Sequence, residues 1–336
     1  MNKNALISCY YNPHGWKSRL DNYNKFVANL DPRIELWTIE LSIKGSPFQI
    51  PKTDRVVRLT SGSFFWHKER LLNILANQLI AKGYENIVWC DADVRFFHND
   101  DWFFETCEKL QNYKLVVPFS TCSHYERSWG TKWSMPQVYQ EELGLENGHP
   151  GFVCGMSREV WELGLYDYAI RGSGDSCLWN TVLHEDHLLK RVFVPIDETF
   201  EKWKPQIKQL VNRDTEISYV NSHVLHFWGG SVRDRQYNNR YKYVNSIDPL
   251  VIGYDIIDPD PRHTTLEWGD TQLAKDNEQE FYDIMTMRHE DTDLPRKQLT
   301  KYALQDLQMN YSIEEYDKMI AEQQKEKQNH ASNKSN

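Results

Sequence analysis

The 336-residue chain has no apolar run approaching the roughly 18 residues that a membrane helix requires, so a membrane-spanning helix is not expected. It shows no charged and apolar leader either: Met1 runs straight into the strand-like stretch Ala5 to Cys9, and the expectation is a cytoplasmic protein. Cysteine is scarce. Cys9, Cys90, Cys107, Cys122, Cys154 and Cys177 form no CxxC pair, and three of them lie inside apolar runs, so neither a disulfide framework nor a zinc site is expected. Basic residues are in deficit, with 39 Lys and Arg against 48 Asp and Glu, a net charge of -9. That removes the global footprint of a nucleic-acid binder, although Arg233 to Lys242 supply a local basic stretch. There is no internal repeat, and no glycine-rich phosphate loop follows the first strand, where Asn12-Pro13-His14-Gly15 stands instead.

What the chain does have is enough apolar residue, 40%, for one large α/β domain or two closely joined halves. Its 12 Trp and 18 Tyr suit stacking on sugars and bases, though many must serve the core. The first half alternates apolar runs with helical patterns. Ala5 to Cys9, Ile34 to Ile39, Val56 to Leu59, Ile87 to Cys90 and Leu115 to Pro118 read as strands of a mostly parallel sheet. Between two of them, Trp66 to Lys82 places Leu71, Leu72, Leu75, Leu79 and Ile80 at helical spacing, with Gly83 positioned to stop the helix.

The middle of the chain, from about Ser120 to Asn245, is less regular, and Ser123 to Pro150 reads as a long loop with one short helix. From Ser246 the chain turns acidic and turn-rich, with a short helical pattern from Glu278 to Met287, and reads as an extension wrapping the main domain. Beyond Glu314 apolar residues nearly vanish, and a segment that buries so little cannot offset its ordering entropy. A frayed helix followed by disorder is expected there.

The strongest chemical signal is Ile87-Val88-Trp89-Cys90-Asp91-Ala92-Asp93-Val94, an apolar strand that ends in two carboxylates one residue apart. A bare pair of this kind is more often a surface turn. Here the apolar run, the strand-end position and the preceding helix agree, and open α/β sheets bind ligands outside the carboxyl ends of their strands. A divalent cation on such a pair bridges two phosphates and neutralises charge as a diphosphate departs. Asp93 is the candidate direct ligand, and Asp91 acts on a ribose or through a metal-bound water. A second acidic pair, Asp100 and Asp101, precedes the helical Trp102 to Tyr113 and reads as its N-cap and first-turn acid. His184-Glu185-Asp186-His187 has its histidines three apart rather than four and reads as a solvated helix end.

Together with three further blocks, this pattern resembles GT-A glycosyltransferases, and within them a group of nucleotide-sugar transferases often encoded by bacteriophages. The resemblance runs from about Ala5 to Arg240. The first block is Cys9-Tyr10-Tyr11-Asn12-Pro13 followed by Ser18-Arg19-Leu20-Asp21-Asn22-Tyr23, where such enzymes hold the base. Tyr11 offers a stacking face, Asn12 an amide for base edges and Arg19 a bidentate phosphate donor. The second, Trp66-His67-Lys68-Glu69-Arg70-Leu71-Leu72-Asn73, resembles the helix before the carboxylate strand, with Lys68 placed for the diphosphate and Asn73 for the base or ribose. The third, Gly151 to Glu159 and then Gly172-Ser173-Gly174-Asp175-Ser176, is similar to the acceptor half. It makes Asp175 the candidate base, with a helix-capping role as the alternative.

The fourth block, Asn221 to Gly230 followed by Arg233, Arg235, Tyr237 and Arg240, resembles the late His-containing strand that completes the metal site. His226 is the candidate third metal ligand with His223 as its rival, and Arg233 or Arg235 pairs with phosphate oxygens. The family's more usual His after the Trp is Gly229 here, a departure.

The resemblance implies an α/β GT-A fold of Rossmann-like character, with residues 1–118 as the nucleotide-sugar half, 119–245 as the acceptor half, 246–313 as the wrapping extension and 314–336 as the tail. It also implies Mn2+ or Mg2+ as cofactor and a nucleotide-sugar donor, UDP-linked by preference, with inversion preferred over retention. The acceptor is left open among a hydroxymethylated base of phage DNA, a glycan and a protein, with no membrane involved. Two other readings stand beside it: a nucleotidyltransferase acting on a sugar phosphate, and a non-catalytic carbohydrate-binding module.

Overall fold

The alternation of apolar strands and helices seen in the sequence builds one central sheet. The computed structural model describes residues 3–126, 130–136, 149–183, 197–227, 229–230, 235, 250–288 and 290–291. In chain order the first elements are β1 (Lys3–Tyr11), α1 (Lys17–Asn29), β2 (Leu36–Ile43), β3 (Val56–Ser61), α2 (Lys68–Ala81) and β4 (Tyr84–Cys90). Next come β5 (Val94–Phe97), α3 (Trp102–Lys109), β6 (Leu115–Val117), β7 (Thr121–Glu126), β8 (Gly130–Pro136) and β9 (Val153–Met156). They are followed by α4 (Arg158–Leu163), α5 (Gly174–Val182), α6 (Asp197–Leu210), β10 (Ile217–Tyr219) and β11 (His223–His226), and then by β12 (Ile256–Ile257), β13 (Glu267–Trp268) and α7 (Gln272–Thr286).

Seven strands form the main sheet in the order β10-β6-β9-β4-β1-β2-β3, and only β9 runs antiparallel to its neighbours. The chain is thus a mixed α/β protein with a large, mostly parallel sheet flanked by helices, as expected. A smaller sheet in the order β5-β11-β7-β8 stands beyond the carboxyl end of β4. Helix α2 is buried on nearly every side, from Lys68 through Ala76. Gly83 then ends its last turn with φ of 82°, a conformation that costs glycine little.

Several boundaries differ from the sequence reading, each for a reason of partner choice. β2 runs to Ile43 rather than stopping at Ile39, because Glu40, which breaks the apolar run, is buried against Arg58 at 3.2 Å and the backbone amides of Gln49 and Ile50. Part of the expected loop from Ser123 is strand: β7 pairs antiparallel with β8 and parallel with β11, a partner far along the chain that no local pattern announces. Residues 137–148 of that loop lie outside the described residues. Asp101 does not cap α3 through its side chain; its carboxylate instead accepts from Arg33 at 2.8 Å.

The extension from Leu250 docks by an apolar patch and by buried charge. Leu250, Ile256 and Leu266 pack on Phe65 and Ile170. Arg70, 1% exposed, reaches both Asp167 and Asp258 at 2.8 and 2.9 Å, and Arg171 reaches Glu280 at 2.6 Å and Asn277. A guanidinium removed from water is tolerated only with such partners, so these two arginines fix where the extension lies. Among the described residues no helix is long and apolar enough to cross a membrane.

Candidate functional site

The site grows from the carboxyl end of β4. The Asp91 amide donates to the Phe152 carbonyl at 2.7 Å, continuing the antiparallel pairing of β4 with β9 and laying His149 to Phe152 beside the carboxylate pair. The chain then turns into β5, which pairs antiparallel with β11 so that His226 lies opposite Val94, and the Phe227 amide donates to the Asp93 carbonyl at 2.7 Å. Strand register, not sequence proximity, therefore brings His226 Nε2 to 3.2 Å from Asp93 Oδ2. The other oxygen, Asp93 Oδ1, is buried without a hydrogen-bond partner among the described residues. Burial works against its charge, but His226, Arg235 and Lys68 together hold the Asp93 carboxyl below the usual carboxylate range.

Arg235 extends this pair, with Nη2 3.5 Å from His226 Nε2. A Cβ placed on Gly229 would meet that Nη2 at 2.7 Å. The guanidinium of Arg235 thus fills the space into which a side chain at position 229 would project.

The opposite wall comes from the start of α2. Lys68 Nζ lies 2.6 Å from Asp91 Oδ1, 4.0 Å from Asp175 Oδ2 and 4.5 Å from the centre of the Trp89 ring. Burial opposes the ammonium, yet Asp91, Asp175 and Glu69 raise its pKa above the usual lysine range. Burial also pushes the Asp91 carboxyl up, an effect that Lys68 offsets in part and Asp93 reinforces. Glu69, 2% exposed, is pushed up to about 8: burial dominates, Lys68 opposes it, and Asp175 and Asp91 add to it. Asp175 opens α5, with Oδ1 accepting from the Ser176 amide at 2.7 Å. Its Oδ2 sits 2.7 Å from where a Cβ on Gly151 would be, so a side chain at 151 would displace this carboxylate.

Phe152 and Ser173 adopt φ of 77° and 72°, a left-handed conformation uncommon outside glycine, and both line the same cavity. The Phe152 ring stacks on His149 at 3.8 Å and on His226 at 5.0 Å. His149 Nδ1 accepts from the Gly151 amide at 3.1 Å, and burial lowers the pKa of this histidine to about 3.

These walls enclose a cavity of about 390 Å3, within the range of small-molecule sites. Of the residues singled out in the sequence, Tyr11, Arg19, Lys68, Asp91, Asp93, Asp175, His226 and Arg235 line it. Two of the three expected metal ligands, Asp93 and His226, touch, while Asp91 faces Lys68. Among the described residues no group of three His, Cys, Asp or Glu side chains gathers closely enough to hold an ion by itself.

His223, the rival to His226, is engaged at both ring nitrogens by Thr121 at 2.8 Å and Ser123 at 3.0 Å. Arg19 lines the cavity but is paired with Glu290 at 2.8 and 2.9 Å and donates to the Tyr11 carbonyl at 2.9 Å.

Asn12 and Asn73 do not line this cavity. Asn12 bridges the Trp16 backbone and Gln49 and so shapes the turn after β1. Asn73 holds the backbone of Leu165 from both sides at 2.9 Å, under Gly164. Each is an amide that a buried turn needs for its own polar groups. Arg233 lies outside the described residues. Residues that the sequence reading passed over also line the cavity: Glu69, His149, Arg288 and Glu290. Glu69 lies inside the second block and His149 just before the third, whereas nothing local marks Arg288 or Glu290.

The sequence matches no protein-family model and no curated protein. Solved structures similar in shape include the Drosophila β1,4-galactosyltransferase 7 complexed with manganese, UDP-Gal and xylobiose, at 13% identity over 82% of this chain and 97% of that one, with a TM-score of 0.39. A protein described as a nucleotide-diphospho-sugar transferase from Desulfovibrio desulfuricans has 10% identity over 67% of this chain and 82% of its own, with a TM-score of 0.34. The mannose-1-phosphate geranyltransferase of Thermus thermophilus has 14% identity over 75% and 82%, with a TM-score of 0.30.

Proposed function

We propose that this chain is a metal-dependent glycosyltransferase that moves a sugar from a nucleoside-diphosphate sugar, UDP-linked by preference, to an acceptor hydroxyl with inversion. The observation that carries the reading is the pairing of Asp93, just after β4, with His226, at the end of β11, with Asp93 Oδ1 buried and unpartnered among the described residues, in one cavity with Lys68 and Asp175. An orphaned buried carboxylate oxygen needs a partner, and a hard carboxylate beside an imidazole suits Mn2+ or Mg2+. Two protein ligands are enough for an ion that completes its shell with phosphate oxygens and water. When bound, the cation neutralises charge on the departing diphosphate.

The protein's own groups take the remaining roles. Arg235, beside His226, and Lys68, beside Asp91, supply fixed positive charge on either side of that position. Asp175 Oδ2 accepts the proton of the acceptor hydroxyl while its oxygen bonds to the anomeric carbon, and the bond to the diphosphate breaks with its electron pair. Tyr11 and Arg19 form the wall where the nucleotide lies, in keeping with residues 1–118 as the donor half and 119–245 as the acceptor half.

The test is a thermal-shift panel of nucleotide-sugars with and without Mn2+, because a ligand specific for the folded state raises apparent stability by mass action. A manganese-dependent rise with at least one nucleotide-sugar is the expected result. A flat response across UDP-, GDP- and CMP-sugars removes the reading. Hydroxymethylated DNA, glycans and proteins then serve as the acceptor series.

A further inference from the structure

We infer that Glu69 determines which sugar the site accepts, by hydrogen-bonding hydroxyls of the transferred sugar. This rests on the transferase reading above. Glu69 sits in the first turn of α2, is 2% exposed and lines the cavity between the groups that mark its two functional poles. On one side Lys68 holds Asp91, and on the other Asp175 lies within 4.0 Å of the same lysine. The sugar of a bound donor is joined to the distal phosphate and must present its anomeric carbon to Asp175. It therefore lies against this stretch of wall.

Two observations show that the wall is built around this carboxyl. A Cβ on Gly174 would come within 2.4 Å of Glu69 Cγ, 2.5 Å of Cδ and 2.6 Å of Oε1, so the first residue of α5 leaves room for Glu69 only by being glycine. Among the described residues its carboxyl has no hydrogen-bond partner except its own backbone amide. Neither Lys68, whose ammonium is 2.6 Å from Asp91, nor a backbone donor of α5 takes it up. A carboxyl so little exposed, with only its own backbone amide as partner, keeps hydrogen-bonding capacity to spare, and polar hydroxyls entering the cavity can take it up. Sites built to bond a hydroxyl reject analogues that lack it, since the site's own polar group is then left unpaired. The carboxyl pKa of about 8 adds that Glu69 is largely protonated at neutral pH and so both donates and accepts.

The test is calorimetry in Mn2+ with UDP, UDP-glucose, UDP-galactose and UDP-N-acetylglucosamine on wild type, Glu69→Gln, Glu69→Ala and Gly174→Ala. Wild type is expected to bind one UDP-sugar more tightly than UDP. Glu69→Ala should lower that ratio about tenfold or more while the affinity for UDP stays the same. Glu69→Gln keeps size and hydrogen bonding and should change the order of preference among the sugars. Gly174→Ala, which displaces the carboxyl, should mimic Glu69→Ala. If Glu69→Ala does not fold, the ratios in Glu69→Gln and Gly174→Ala decide.

Unchanged ratios in the folded variants overturn the assignment, as does an equal loss for UDP and UDP-sugars, which marks Glu69 as a general support of the site. A wild type that binds UDP but gains nothing from any sugar also overturns it, leaving the nucleotide site standing. A wild type that binds none of the four probes overturns this inference, and the transferase reading falls with it only where the GDP- and CMP-sugars of the thermal-shift panel fail as well.

Discussion

Arg19 and Glu290 meet in a forked ion pair, Nε to Oε2 at 2.8 Å and Nη2 to Oε1 at 2.9 Å, which ties the first turns of α1 to the end of the described extension. The same carboxylate takes Arg288 Nε at 3.0 Å, and its side chain is 2% exposed. Two guanidiniums thus share one buried acid at the cavity wall.

Removing that acid should be severe. Glu290→Ala leaves Arg19 and Arg288 without their carboxylate, and loss of one partner from a buried pair costs about 3 kcal/mol. Burial acts to raise the Glu290 pKa, but Arg19 and Arg288 outweigh it and hold the value below the reference 4.5. The unfolded chain therefore takes up the proton first as pH falls. Stability from this group is fully present above the unfolded value and is lost as pH drops through the lower folded one. Urea denaturation of wild type and Glu290→Gln should show a gap that narrows below pH 4.5. A gap that widens in acid contradicts the assignment.

Asp93→Asn should abolish manganese-dependent binding of UDP, because it removes the charge that His226 and Arg235 face. Two adjacent carboxylates alone would repel one another, and their loss would then stabilise the fold. Here each has its own cation, so no such gain is expected. Asp91→Ala should lower the melting temperature, since it takes the 2.6 Å partner from Lys68, whose side chain is only 9% exposed. Calorimetry with and without Mn2+, beside thermal melts, reads both effects. Unchanged metal-dependent affinity in Asp93→Asn would rule Asp93 out as a ligand.

Asp175→Asn tests the base. The amide oxygen of asparagine can still accept from the Ser176 amide, so the start of α5 and the melting temperature should stay near wild type. Only basicity is lost, and turnover should fall by roughly 10² to 10⁴. Near-normal turnover, or a fall in stability that parallels activity, assigns Asp175 to capping alone.

How much of this was legible beforehand depended on whether the partner of each residue was local. Helix α2 and the carboxylate-ended β4 could be read because periodicity and an apolar run are properties of consecutive residues. Asp93 and His226 could each be named, but their contact follows from the β5 and β11 register, which no single segment encodes. Asn12 and Asn73 looked like ligand amides, since a sequence does not distinguish an amide serving a turn from one facing a cavity. Glu69 was given no role of its own, because the room it occupies depends on Gly174, a residue far along the chain. Arg288 and Glu290 reach the cavity only through the docking of the extension, which rests on buried arginines whose partners lie far along the chain.

The start of α1 carries one last consequence. Trp16 provides no side-chain cap there, and the amides of Lys17 and Ser18 donate instead to the two carboxylate oxygens of Asp291, each at 2.7 Å. A chain emerging from the ribosome makes this helix well before the residue that caps it. Until residue 291 has been synthesised and docked, the first turn of α1 keeps unsatisfied amides and Arg19 lacks its acid. This wall of the cavity is therefore complete only once the extension has docked, and a chain cut before residue 290 should present the sheet with an open pocket.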